Sequence, residues 1–158
     1  KRKKVTVAED IFISIYSFDC QEHSDVRTLN HMLHIPPEKD WVTSRRMSLD
    51  DDSANTNQNY LCISCMNSED RVTYDLSGDR YAKAQNAQRQ GTLKHYIGTK
   101  LMVGSRCYGF INIEFHNKKL FTTEDQMAKY METCIFPYRC LLEYQYLKKE
   151  FFGKLAAM

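Results

Sequence analysis

The stretch HYIGTKLMVGSRCYGFINIEF, from His95 to Phe115, constrains this chain more than any other. Two runs rich in aliphatic and aromatic residues flank Gly104 and Ser105. These two fit the central positions of a hairpin turn, because glycine takes the positive φ demanded at the first of them. In the second run Tyr108, Phe110 and Asn112 alternate with Gly109, Ile111 and Ile113. Both faces are then largely apolar, and the strand is expected at the centre of a sheet covered on both sides. TTEDQMAKYM follows and predicts a helix. Thr122 or Thr123 stands ready to cap it, Asp125 or Gln126 to answer three residues later, and Glu124 and Asp125 sit near the positive helix end. Met127, Tyr130, Met131, Cys134, Tyr138, Leu141, Leu142 and Gln145 recur at helical spacing and predict the stripe laid on the sheet. Pro137 cannot donate to the carbonyl four residues back, so a bend or split is expected there.

The remaining elements are read from patterning. VAEDIFISIYSF fits two periods: Val7, Ile11, Ile15 and Phe18 suit a helix, Ile11, Ile13 and Ile15 a strand, and the helix is preferred. DVRTLNHMLHI suits a helical segment that Pro36 and Pro37 would stop. DDDSANTNQN combines acidic repulsion with turn-forming residues and reads as an exposed loop. NYLCISCMN and RVTYDLS bracket a turn at Ser68 to Asp70 and predict a second hairpin. GDRYAKAQNAQRQG, bounded by Gly78 and Gly91, predicts a short helix. The whole is one domain over residues 1–158. It has an N-terminal helical or extended segment (1–49), a polar loop (50–59), the sheet with a short inserted helix (60–121), and a C-terminal helix (122–152) kinked near Pro137.

With 158 residues, 42% of them hydrophobic and 27% charged, the chain has the make-up of a globular domain with a sizeable core. No run approaches the roughly 18 to 20 apolar residues of a membrane-spanning helix. The start, KRKKVTVAED, lacks a signal-peptide core, so the expected location is cytoplasmic. Beginning without methionine, the chain reads as a piece of a longer protein. The net charge of +2 is carried by the KRKK cluster, with no basic stripe elsewhere, and no nucleic-acid partner is expected.

Cys62 and Cys65 have the C-x-x-C spacing of redox thiols and zinc knuckles, but in an extended run positions three apart face opposite ways. They are read as buried structural thiols in a reducing compartment. Cys20, His23, His31 and His34 place four potential zinc ligands close together at intervals unlike those of a common finger. Ordinary exposed or core histidines are the preferred reading, with no metal. Arg45 and Arg46 before Ser48 resemble a basic-directed kinase site, against which a solvated turn is preferred. No G-x-S-x-G, H-E-x-x-H or phosphate-cradling glycine loop occurs, and no catalytic residue is assigned.

The order hairpin, helix, hairpin, capped long helix resembles the GAF domain family. The resemblance is carried by YIGTKLMVGSRCYGFINIEF, by Gly109, Phe110 and Ile111 at a strand start, and by Phe121, Thr122, Glu124 and Asp125 in the helix opening. Lys100 stands where many members have proline, and Ser77 to Lys94 is shorter than the usual lid. The resemblance implies an α+β fold: an antiparallel sheet of five or six strands, terminal helices packed on one face and a shallow cavity on the other. It implies a sensory or regulatory module, not an enzyme, that binds a small ligand or a partner and passes a signal to attached domains. Tyr74, Arg80, Tyr81, Tyr96, Thr99 and Phe110 are the candidate ligand-binding residues, as aromatic walls with a few polar groups suit small molecules. The cofactor is unknown. A scaffold without ligand, and a thiol enzyme reducing methionine sulfoxide through Cys62 or Cys65, are the alternatives. Leu141, Leu142, Tyr144, Leu147, Phe151 and Phe152 exceed what one helix face needs, so a homodimer through the terminal helices is expected, with Tyr144 and Leu147 in the contact.

Overall fold

The computed structural model describes residues 10–19, 28–35, 69–78 and 92–156. Within them lie strands β1 (Ile11–Asp19), β2 (Thr28–Ile35), β3 (Val72–Asp75), β4 (Leu93–Val103) and β5 (Arg106–His116). Helix α1 (Glu124–Tyr130), a π-helical turn (Met131–Ile135) and helix α2 (Phe136–Ala156) follow. The five strands form one sheet in the order β2-β1-β5-β4-β3, with every neighbouring pair antiparallel. The fold is α+β, and β5 takes the central place expected of it.

The β4–β5 hairpin turns at Gly104, whose φ of 60° is in the left-handed region that glycine enters without steric cost. Val103 pairs with Arg106 across the turn. Beyond it Leu101 pairs with Gly109 and Met102 with Cys107, which leaves Tyr108 as the extra residue of a β-bulge. The bulge corrects the expected alternation. Tyr108 does not share a face with Phe110 and Asn112; its ring stacks on Tyr146 of α2, centroids 5.2 Å apart, and its hydroxyl donates to Glu150. Beside it, a Cβ on Gly109 would fall 2.0 Å from the backbone oxygen of Tyr16, so β5 and β1 approach this closely only through glycine.

Two helical expectations are corrected to strands. Residues 11–19 are β1, an inner strand whose register sets Ile11, Ile13 and Ile15 against Phe115, Ile113 and Ile111. The period-two reading prevails because a helix would scatter those β-branched residues, whereas a strand buries them together. No N-terminal helix at this position joins α2 on the sheet. DVRTLNHMLHI contributes β2, which ends at Ile35, so His31 and His34 lie on a strand and not on a helical face. Cys20 and His23, the other members of that set, lie outside the described residues. So do the polar loop (50–59), the hairpin partner around 60–66 with Cys62 and Cys65, Ser48 and its arginines, and the short helix between Gly78 and Gly91.

Helix α1 begins as the capping pattern predicts. Thr123 Oγ1 accepts from the Gln126 amide at 3.3 Å, and Gln126 Oε1 accepts from the Thr122 amide at 2.9 Å. Met127, Met131 and Ile135 bury against Ile97, Leu101, Ile111, Ile113 and Phe115 to form the core, edged by Ile11, Ile13, Ile15, Val72 and Tyr74. The interruption expected at Pro137 takes the form of the π-turn ahead of it, where the Phe136 amide bonds the Met131 carbonyl. The wider turn relieves the clash of the proline ring with the preceding carbonyls. It also inserts a residue, which rotates everything downstream by about 100°. The inward stripe is therefore corrected. Ile135, Arg139, Leu142 and Tyr146 turn toward the sheet, while Cys134, Tyr138, Leu141 and Gln145 are exposed.

Candidate functional site

The helix covers one face of the sheet. On the other face the strand registers align side chains in rows. Asp75 pairs with Tyr96, Tyr96 with Glu114 and Glu114 with Phe12; in the next row Thr73, Gly98, Asn112 and Ser14 follow one another. In a third, Phe110 stacks on Tyr16 with centroids 4.9 Å apart, and Phe18 lies 6.1 Å from the same ring. Tyr96 and Phe110 are fully buried, and Ser14, Thr73, Asp75, Asn112, Glu114 and His116 are buried as well.

So many buried polar groups on one face need internal partners. The Tyr96 hydroxyl donates to Asn112 Oδ1 at 2.5 Å. The His116 ring bridges Thr92 Oγ1 (2.9 Å at Nδ1) and Glu114 Oε2 (3.1 Å at Nε2), and the Phe12 ring meets it edge-on. Asp75 Oδ1 accepts from the Ser77 amide (3.1 Å), the Ser77 hydroxyl (2.8 Å) and the Gly78 amide (3.2 Å). These bonds close the turn after β3, where Gly78 has a φ of 71°. Among the described residues, Asp75 Oδ2 and Arg139 Nε are the buried side-chain polar atoms without a hydrogen-bond partner.

The six sequence candidates separate. Tyr96 and Phe110 lie on this polar and aromatic face. Thr99 and Tyr74 project to the helix side, where Thr99 Oγ1 accepts from Arg139 Nη1 at 3.2 Å and Tyr74 edges the core. Burial raises the Tyr74 pKa, with Glu132 adding to the effect. Arg80 and Tyr81 lie outside the described residues. Alternation explains the division: Thr99 is an odd number of residues from Tyr96, and Tyr74 pairs with Ile97 rather than Tyr96. Asp75, Asn112, Glu114 and His116 belong with Tyr96 but were not singled out from the sequence as site residues. Asp75 had a visible signal, since aspartate two and three residues before Ser77 and Gly78 is a turn acceptor. For Glu114 and His116 nothing in the sequence distinguished a buried carboxylate and imidazole from solvated ones.

Two polar clamps hold the helical layer. His95, 1% exposed, donates from Nδ1 to the Leu76 carbonyl (2.6 Å) and accepts at Nε2 from the amides of Leu120 (2.9 Å) and Phe121 (3.2 Å). Only a neutral ring can do both. Burial accordingly lowers its pKa, against the raising effect of the Leu76 bond. At the other end Glu143 accepts from Arg71 (2.5 Å) and from the Met102 amide (2.9 Å), and Arg139 lies over the Phe136 ring at 4.7 Å. Burial, and then Arg71, lower the Arg139 pKa.

Beyond the clamp α2 presents an apolar stripe outward. Leu141, Tyr144, Leu147, Phe151, Phe152 and Leu155 are each about half exposed or more. Cys107, Cys134 and Cys140 are free thiols. Among the described residues no helix is long and apolar enough to cross a membrane, and no group of three or more metal-ligating side chains occurs.

No family model and no curated protein matches the sequence. Among solved structures the chain is similar to the GAF domain of a two-component sensor histidine kinase from Bacillus halodurans. The TM-score is 0.55 and the identity 13%, over 90% of this chain and 84% of that one. The chain has a GAF-like fold, as its motifs led one to expect.

Proposed function

We propose that the chain is a sensory or regulatory module. It binds a small molecule on the sheet face away from the helix, dimerises through α2, and passes the state of the site to whatever is attached. The carrying observation is the split of the molecule into a buried polar and aromatic face and a long helix whose outward side is apolar. A helix stripe of this extent exceeds what a solvated surface ordinarily shows and fits a second copy of itself. The fold likeness to a sensor kinase domain supports the regulatory reading. The chain is not proposed to be an enzyme, and its free thiols support a cytoplasmic setting. Of the residues first considered, Tyr96 and Phe110 remain proposed ligand contacts, joined by Asn112.

Native mass spectrometry of freshly purified protein tests both halves, with sedimentation and circular dichroism on a Tyr144→Glu, Leu147→Glu variant beside it. The unmodified chain should appear as a dimer carrying an organic adduct. The variant should sediment as a monomer with its sheet spectrum intact, because glutamates in an apolar contact are costly. An unmodified chain that is monomeric at high micromolar concentration overturns dimerisation. The absence of an adduct, with a dimer present, favours the scaffold without ligand.

A further inference from the structure

Asp75 closes β3 on the face away from the helix and is 6% exposed. Its Oδ1 is engaged by the Ser77 amide and hydroxyl and the Gly78 amide, all from the turn that follows. Its Oδ2 is buried with no donor. The turn accounts for one oxygen of this carboxylate and leaves the other as an unmet acceptor, which is costly once water is excluded. The neighbours define what would meet it. Along the row stand Tyr96 and then Glu114, whose carboxylate meets the His116 ring. An anionic ligand would face two carboxylates. A neutral one would leave the Asp75 charge unpaired. A metal ion needs several ligands, and no group of three or more His, Cys, Asp or Glu side chains suited to one occurs among the described residues.

We propose that Asp75 Oδ2, with Tyr96 as its partner in the strand register, forms a subsite for a small organic cation bearing a primary ammonium. This rests on the ligand-binding reading of the same face and gives it a chemical class. The ammonium supplies both the charge and the N–H that the free oxygen lacks, and a charge-assisted bond of this type is stronger than a neutral one. The attached hydrocarbon would meet Tyr96, whose hydroxyl is tied to Asn112.

The test is an NMR titration of the full chain, labelled with nitrogen-15, using phenethylammonium. 2-Phenylethanol and phenylacetate serve as its neutral and anionic counterparts. The amides of Ser77 and Gly78 report directly, since they donate to the same carboxylate. Phenethylammonium should shift them saturably. The alcohol, and the ammonium acting on Asp75→Asn, should each bind at least about tenfold more weakly. Asp75→Asn keeps an oxygen for the turn, and the comparison of ammonium with alcohol on unmodified protein needs no variant at all. Equal binding of ammonium and alcohol, with shifts at Tyr96 and Phe110, would remove the cation and retain the face as a ligand site. Unchanged affinity in Asp75→Asn would mean that Oδ2 holds water only. If none of the three probes moves Ser77, Gly78, Tyr96 or Phe110, the cation proposal and the ligand reading of the face fail together.

Discussion

The two faces of the β4–β5 hairpin are made from alternate residues of the same strands and are comparably buried, yet they differ in kind. Toward the helix stand Ile97, Leu101, Ile111, Ile113 and Phe115, packed on Met127, Met131 and Ile135. Away from it stand Tyr96, Phe110, Asn112, Glu114 and His116. The first face gains stability by removing apolar area from water, without directional demands. The second must find a partner for each polar atom, and its Tyr96–Asn112 and Thr92–His116–Glu114 bonds do so at a smaller net return. A domain that needed only to fold would have little reason for the second arrangement. Under the proposed function, stability belongs to the helix side and recognition to the other.

That assignment is open to direct attack. The largest effect should come from Ile113→Ala on the helix side, which leaves a cavity at a fully buried position of the central strand. A loss of about 2–5 kcal/mol is expected from the urea midpoint at unchanged slope. Tyr96→Phe on the opposite face removes the donor to Asn112 Oδ1 while keeping the ring, and should cost less, about 1–3 kcal/mol. If Tyr96→Phe were the more damaging, the polar face would be the principal source of stability and the comparison would invert.

The smallest effect sharpens the picture on the helix side, where His95 is a polar exception. Its folded pKa is depressed, chiefly by burial, so the unfolded chain takes up the proton first. The stability it contributes is complete above the ordinary histidine value of about 6.5 and is lost as pH falls below that toward the folded pKa. The urea midpoint should therefore decline on acidification through this window, and the His95 ring resonances should titrate below those of an exposed histidine. A ring titrating at or above the ordinary value would show that the clasp on Leu76, Leu120 and Phe121 opens in solution.

Much of this arrangement was written locally. Gly104 at a position needing positive φ, the Thr123 and Gln126 cap, and the alternation of Ile111 and Ile113 each depend on residues within a few places of one another, and each stands as expected. What failed to show in the sequence depends on partners far along the chain. Residues 11–19 satisfy two periodicities, and only the open edge of β5 selects the strand. Tyr108 is carried to the helix side by a bulge that adjoins Gly109, where β5 comes close to Tyr16 of β1. Pro137 announced an interruption but not its form; the π-turn added one residue, and that moved Leu141 and Tyr138 from the expected core to the surface.

The candidate site divides along the same line. Tyr96 and Phe110 were legible as aromatic residues on a strand, while the company they keep was decided by register, which set Asp75 and Glu114 on either side of Tyr96 and sent Thr99 and Tyr74 to the helix. By itself the sequence determined the hairpin, the capped helix and the surplus of apolar residues along α2, because turn sterics, end-capping and periodicity act over a few residues. Only the tertiary structure decided which residues share a face, because pairing register and bulges are settled between strands that meet across the sheet.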